Sequence, residues 1–294
     1  MNGGLGNSSN GVTVLPPPRL LADGLIMVES GRWHDGRLWF AHWGSGDVVA
    51  VDLDGQTEVV APGRDTMGWS IDWLPDGRLL VSGQELTRVE PDGSTVRHSA
   101  QGGNEIVVDA AAHVYVNGAD FDFVGGGAPE PGWIRLVAPD GSTRDVAGDI
   151  EFPNGMVITP DGSTLVVAES FAGRLSAFDI QDDGSLSGRR TWAEGLGPDG
   201  ICVDAAGGIW SQTADMPDPD DASAPAGAVV RVLDGGKITH SVETDLPCFS
   251  CALGGPEGRH LFLLCNEFEG IDRLEAVLSR RSARIYVTEV PSWT

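Results

Sequence analysis

The stretch PDGSTLVV, from Pro160 to Val167, joins a tight Asp-Gly turn to an apolar run, and the same arrangement recurs along the chain. It returns as HDGRLWF (His34 to Phe40), DAAAHVYV (Asp109 to Val116) and DAAGGIW (Asp204 to Trp210). Two further copies are centred on Pro75-Asp76-Gly77 and on GPEGRHLFLL, from Gly255 to Leu264. Aligned on Asp35, Asp76, Asp109, Asp161, Asp204 and Glu257, the units follow at intervals of 41, 33, 52, 43 and 53 residues. Their mean, about 44, is the length of a four-stranded propeller blade. A second turn series lies between: Asp54-Gly55, Asp92-Gly93, Asp140-Gly141, Asp183-Gly184 and Asp234-Gly235. Each turns an outer hairpin, so every unit holds two hairpins and four strands.

The expected fold is therefore all-β: a six-bladed β-propeller with four-stranded blades around a central channel. One domain spans residues 20–294, after a flexible N-terminal tail at 1–19. A β-sandwich or a two-domain chain is the competing architecture. Either the final strand RIYVTEV (Arg284 to Val290) or the early segment Val12 to Leu15 completes the sixth blade. The two long intervals contain insertions, Gly118 to Gly132 and Thr213 to Gly227. Both follow the second strand of a blade, so both are expected as loops on one face.

Composition narrows the class of function. The chain has 294 residues, 41 glycines and 18 prolines, which favour many short strands over long helices. A net charge of −24 argues against nucleic-acid and anionic-membrane partners, both of which would repel it. The first twenty residues lack a basic region followed by an apolar one, and no apolar run approaches membrane-spanning length. A cytoplasmic protein with a small-molecule substrate is expected; no feature speaks to oligomeric state. Cys202 and Cys265 lie in apolar runs and read as buried thiols, while Cys248 and Cys251 lack the partners of a zinc site.

Chemistry enters at one position of the repeat. Glu29, Asn104, Asn154 and Asp199 each stand five or six residues before a turn-and-strand segment. In a ring, equivalent positions converge on the axis. Two carboxylates balance a divalent charge and two amides add carbonyl oxygens, a hard-oxygen set that favours Ca²⁺, with Mg²⁺ or Mn²⁺ next and Zn²⁺ less suited. The remaining blades offer Trp69, Ser70 and Asp72, and Ser250 and Cys251, as pocket wall. Trp69, His42, Asp122 and Cys251 join Asn104 as expected substrate contacts; Asp120 and Asp122 belong to the first insertion. No G-x-S-x-G serine site and no phosphate-cradling glycine motif occurs.

Four segments carry a family resemblance: VESGRWHDGRLWF (Val28 to Phe40), NEIVVD (Asn104 to Asp109), FPNGMVITPDG (Phe152 to Gly162) and PDGICVD (Pro198 to Asp204). Together they resemble the senescence-marker-protein/gluconolactonase-like family, from about residue 20 to 290. The resemblance implies a six-bladed propeller with one catalytic divalent cation in its axial channel. It implies Glu29, Asn154 and Asp199 as metal ligands and Asn104 as a fourth ligand or substrate contact. It also implies Asp199 as general base or nucleophile. Departures from the family pattern, at Ser30-Gly31, His42 and Trp210 to Thr213, lie near the expected pocket and bear on the substrate.

The expected function is a divalent-metal-dependent hydrolase opening a sugar-type lactone or related cyclic ester. Phosphotriester hydrolysis, or an isomerase or cyclase step on a specialised metabolite at the same site, is the alternative. A non-enzymatic ligand-binding propeller is the third reading.

Overall fold

The computed structural model of the chain describes residues 8–9, 11–122, 125–213, 226–270 and 273–293. Strands dominate, and they form six sheets of four or more strands arranged as a six-bladed β-propeller. Blade one comprises Val28–His34, Arg37–His42, Asp47–Val51 and Thr57–Pro62, in that order from the axis outward. Blade two runs from Ile71–Trp73 to Thr95–Ser99, blade three from Ile106–Val108 to Thr143–Ile150, and blade four from Pro153–Ile158 to Leu186–Glu194. Blade five starts with Cys202–Val203 and reaches Ile238–Thr244. The Asp-Gly turns fall where the repeat predicts, at the ends of the inner and outer hairpins.

Closure is shared by both ends of the chain. Blade six takes Cys248–Gly254, His260–Cys265 and Ala283–Glu289 from the C-terminal part, and Arg19–Leu25 supplies its outermost strand. The tail expected at 1–19 is partly a strand instead. Val12–Val14 pairs in parallel with Ile238–Thr244, extending blade five, and Leu15 is buried against blades five and six. An apolar VTVL segment beside an open sheet edge gains ladder hydrogen bonds and burial, so it docks. Residues 1–7 and 10 lie outside the described residues.

There is no single core. Six apolar clusters each fill the gap between two adjacent blades: Phe40 and Leu38 of blade one face Phe262 and Leu264 of blade six, and Val166 and Leu175 face Ile209 and Val230. A strand covered on both faces needs apolar side chains on both, which explains runs such as Leu261 to Cys265. Near the axis the blades are joined by polar stitches. Ser30, Ser70 and Ser250 accept backbone N–H groups from Ile71, Ile106 and Gly31 of the neighbouring blades at 2.9–3.1 Å. Among the described residues no helix is long and apolar enough to cross a membrane.

Candidate metal and active site

Glu29 and Asn154 sit at the beginnings of the innermost strands of blades one and four, and Asn104 and Asp199 just before those of blades three and five. All four line one cavity of about 1260 Å³, on the face where the innermost strands begin. Irregular register helps aim them. The inner hairpins of blades one, four and six slip at Glu29/Arg32, Pro153/Met156 and Cys248/Ser250, next to the cavity, and such bulges redirect side chains.

Two glycines of the Pro-Asn-Gly and Pro-Asp-Gly segments act through close approach. A Cβ on Gly155 would lie 2.5 Å from the carbonyl oxygen of Asp199, and one on Gly200 would lie 2.6 Å from the Ser250 hydroxyl. Gly155 N–H donates to Asp199 O at 3.1 Å, so the missing side chain brings the Asn154 and Asp199 strands together. Behind them, Asn117 braces both amide-bearing segments. Its Nδ2 donates to Asn154 O at 2.5 Å, while its backbone oxygen accepts from Asn104 N at 2.7 Å. Gln212 fixes the Asp199 segment, accepting from Asp199 N at 2.9 Å and donating to Gly200 O at 2.8 Å. Ser170 Oγ donates to Pro198 O at 2.7 Å and accepts from Asn154 Nδ2 at 3.4 Å.

Electrostatically the site is strained by uncompensated carboxylates. Asp199 Oδ1 is buried without a hydrogen-bond partner among the described residues. Burial, then the charge of Glu105, pushes the Asp199 carboxyl well above the usual range, against a hydrogen bond from Asn154. Burial, then Asp199, does the same to Glu29. The nearby guanidinium of Arg32 is paired with Glu105 at 3.3 Å and offsets little of this. Two buried carboxylates that repel each other, one with an orphaned oxygen, beside two amides, fit a hard divalent ion. No group of three or more His, Cys, Asp and Glu side chains gathers among the described residues, so an ion here would need the amides as well.

Three expected substrate contacts are placed elsewhere. Trp69 is 0% exposed, packed between blades one and two with Ala41 and Val81, because the segment leading into Ile71–Trp73 turns a large apolar ring into the inter-blade gap. Trp43 lines the cavity in that region and donates its indole N–H to Trp69 O at 2.9 Å. Cys251 is also 0% exposed, its Sγ 3.5 Å from that of Cys202 between blades five and six; Cys248 lines the cavity. His42 is buried with its ring nitrogens against Ile26 N (3.1 Å) and Ser45 N (2.9 Å). Burial lowers its pKa and keeps it neutral, so one nitrogen accepts and caps the turn. His42→Ala is accordingly expected to cost about 1–2 kcal/mol, read by thermal denaturation, with turnover retained; lost turnover at unchanged stability would return it to the site.

Asp120 and Asp122 line the cavity, and Asp122 Oδ1 also accepts from Gly125 N at 2.7 Å. Residues 214–225 of the second insertion lie outside the described residues; Thr213, Ala226 and Gly227 at its ends line the cavity. Sequence reasoning missed the braces Asn117 and Ser170 and the aromatic wall, because no motif marks them.

A family model described as SMP-30/Gluconolactonase/LRE-like region matches residues 76–266. The chain belongs to that family. Within the SMP-30/gluconolactonase/LRE-like proteins it is 28% identical over 167 residues to the pentonolactonase XacC of Haloferax volcanii, covering 54% of this chain and 52% of that protein. It is 28% identical over 140 residues to the regucalcin of Xenopus laevis, covering 45% and 43%. The chain thus spans about half the length of the curated relatives it matches. Among solved structures, regucalcin from Agrobacterium tumefaciens, described as a calcium-binding protein, superposes with a TM-score of 0.72 at 18% identity, covering 97% of this chain and all of that one. A gluconolactonase from Xanthomonas campestris gives 0.70 at 20% identity, covering 94% and 95%. At these identities the structures bear on the fold alone.

Proposed function

We propose that the chain is a divalent-metal-dependent hydrolase that opens a lactone. The convergence of Glu29, Asn104, Asn154 and Asp199 on one cavity, with a buried carboxylate oxygen left unpartnered, carries the reading. The family and the names of the pentonolactonase and gluconolactonase relatives support it. A cation bound there, Ca²⁺ by preference, would polarise the ester carbonyl and favour the charge that develops on its oxygen.

The protein's own groups do the rest. Glu29 and Asp199 balance the ion's charge, and Asn104 and Asn154 lend carbonyl oxygens without adding charge. Asp199, held in place by Gln212 and Asn154, takes a proton from the attacking water as its oxygen bonds to the carbonyl carbon. The ring C–O bond then breaks, and the proton passes to the departing alkoxide, leaving a hydroxy acid. A carboxylate next to a cation is a weak base, which suits an activated ester such as a lactone. Sugar lactones are the first substrates to assay, because two relatives are named for them.

A lactone panel run with and without EDTA tests the reading. Chelation is expected to remove turnover and added Ca²⁺ to restore it. Undiminished lactone opening in EDTA would end the metal assignment. Metal-dependent turnover of phosphotriesters but of no lactone would transfer the site to the alternative chemistry.

A further inference from the structure

Beyond the four oxygen donors, the cavity wall carries two groups of aromatic rings. Phe152 and Phe171 stack at 4.3 Å between ring centroids with planes 9° apart, and Phe121 lies 5.9 Å from Phe152. Phe249 meets Phe268 edge-on at 5.5 Å. All five rings line the cavity. Chain connectivity brings both groups to the reacting centre. Phe152 stands two residues before Asn154, and Phe171 follows Ser170, whose hydroxyl joins Asn154 to Pro198. On another side, Phe249 O accepts from Gly200 N at 2.7 Å, next to Asp199.

Exposure points the same way. Phe171 and Phe268, 48% and 36% exposed, are the two aromatic residues among the exposed large hydrophobics of the described chain, and both lie in this cavity. Exposed rings gathered in a concavity next to reactive groups mark a ligand surface. Several polar side chains near the donors are already committed, while the Thr213 hydroxyl on the cavity wall is left without a partner among the described residues. Both amide atoms of Gln212 are used, and the Ser170 hydroxyl donates to Pro198 O. Arg135 stacks on Trp133 at 3.6 Å and pairs with Asp145 at 2.7 Å. Gln84 and Asp120 add polarity elsewhere on the wall.

Hydroxyls of a sugar ring pressed against the phenylalanines would lose water without regaining hydrogen bonds, which is unfavourable. With Glu29 and Asp199 offset by a bound cation, an anionic ligand would still meet Asp120 and Asp122, with Arg135 in opposition among the cavity's charged residues. The cavity, about 1260 Å³, exceeds the ~300–1,000 Å³ usual for burying a drug-sized ligand.

We infer that the site takes an uncharged ligand bearing an aryl or extended acyl group, seated between the Phe152–Phe171 stack and the Phe249–Phe268 pair. As a substrate this is an apolar lactone, not a polyhydroxylated one. The substrate statement rests on the hydrolytic reading above, whereas the ring-lined subsite stands on the wall itself.

The test compares dihydrocoumarin and δ-dodecalactone with glucono-δ-lactone on the calcium-loaded protein. The expected kcat/KM for the apolar lactones is at least about tenfold higher. Phe171→Ser and Phe268→Ser, both at partly exposed rings and so mild for folding, should each lower the apolar-to-sugar ratio about tenfold, mainly through KM. Equal or faster opening of the sugar lactone, or a ratio that neither variant changes, overturns the inference. Should no lactone be opened, the hydrolytic reading fails separately, and a fluorescence titration with coumarin decides the subsite. Saturable binding weakened about tenfold by either variant upholds it; absence of saturable binding, or binding indifferent to both, removes it.

Discussion

Asp199→Ala is expected to lower kcat/KM for the opened lactone by at least about a thousandfold, because one substitution removes both the proton acceptor and an oxygen donor of the cation site. Glu29→Gln should fall by a similar factor through loss of the second anionic donor. What separates this from damage to the fold is the sign of the stability change. In the metal-free protein, burial first and the charge of Glu105 second raise the Asp199 carboxyl above its ordinary range. The folded state therefore keeps a proton that the unfolded state releases, so rising pH above the usual carboxylate range costs stability. Removing the group relieves that cost, and metal-free Asp199→Ala should melt no lower than the parent at neutral pH. Its melting temperature should also respond less to calcium. An active Asp199→Ala protein would end the assignment; an inactive one that also melts well below the parent would show a structural role instead. An inactive variant that melts no lower than the parent marks a site where stability is traded for function.

The second large effect concerns Glu169, whose side chain is fully buried at the end of the second strand of blade four. Burial raises its pKa, but hydrogen bonds from Arg174, the Glu151 backbone, Ser176 and Arg189 outweigh it, and the carboxyl is held down to about 2 from an ordinary 4.5. A depressed carboxylate stabilises the fold above its unfolded value and loses that contribution as pH falls. The stabilisation is thus complete above pH 4.5 and disappears between 4.5 and about 2. Glu169→Gln should cost about 2–3 kcal/mol at neutral pH, the guanidinium groups being partly exposed and screened. Urea unfolding across this pH range should show parent and variant converging toward the acid end. Parallel curves would mean that the charge on Glu169 does not hold the blade. Because Glu169 accepts from Glu151 N at 2.9 Å, the variant also loosens the segment leading to Phe152 and Asn154. Part of its cost should therefore appear as a raised KM.

Much of the site was readable because the repeat fixes equivalence. Six turns of one kind at blade-length intervals imply a ring, and a ring brings position-matched residues to its axis, so Glu29, Asn104, Asn154 and Asp199 could be grouped without coordinates. The same logic misplaced Trp69 and Cys251. Alternation along a strand decides which residue faces the channel and which faces the next blade. Next to Cys251 that alternation is broken by the register slip between Cys248 and Ser250, while Trp69 stands two residues ahead of its blade's innermost strand and outside the alternation. One residue of slip exchanges wall for core. His42 was misread for a related reason: a loop histidine looks available until the turn folds its ring against backbone N–H groups.

The amino-acid order alone determined the strand count per unit, the six-fold repetition, the acidic character and the equivalent placement of Glu29, Asn104, Asn154 and Asp199 in their repeats, since all are local or periodic properties. Tertiary structure alone decided how the ring is closed. The outer strand of blade six and the parallel extension of blade five come from the N-terminal segments Arg19–Leu25 and Val12–Val14, far from their partners in sequence. It also decided the aromatic wall, which gathers Phe121, Phe152, Phe171, Phe249 and Phe268 from three blades. Their sequence neighbourhoods share no pattern, and only the packing of blade against blade makes one surface of them.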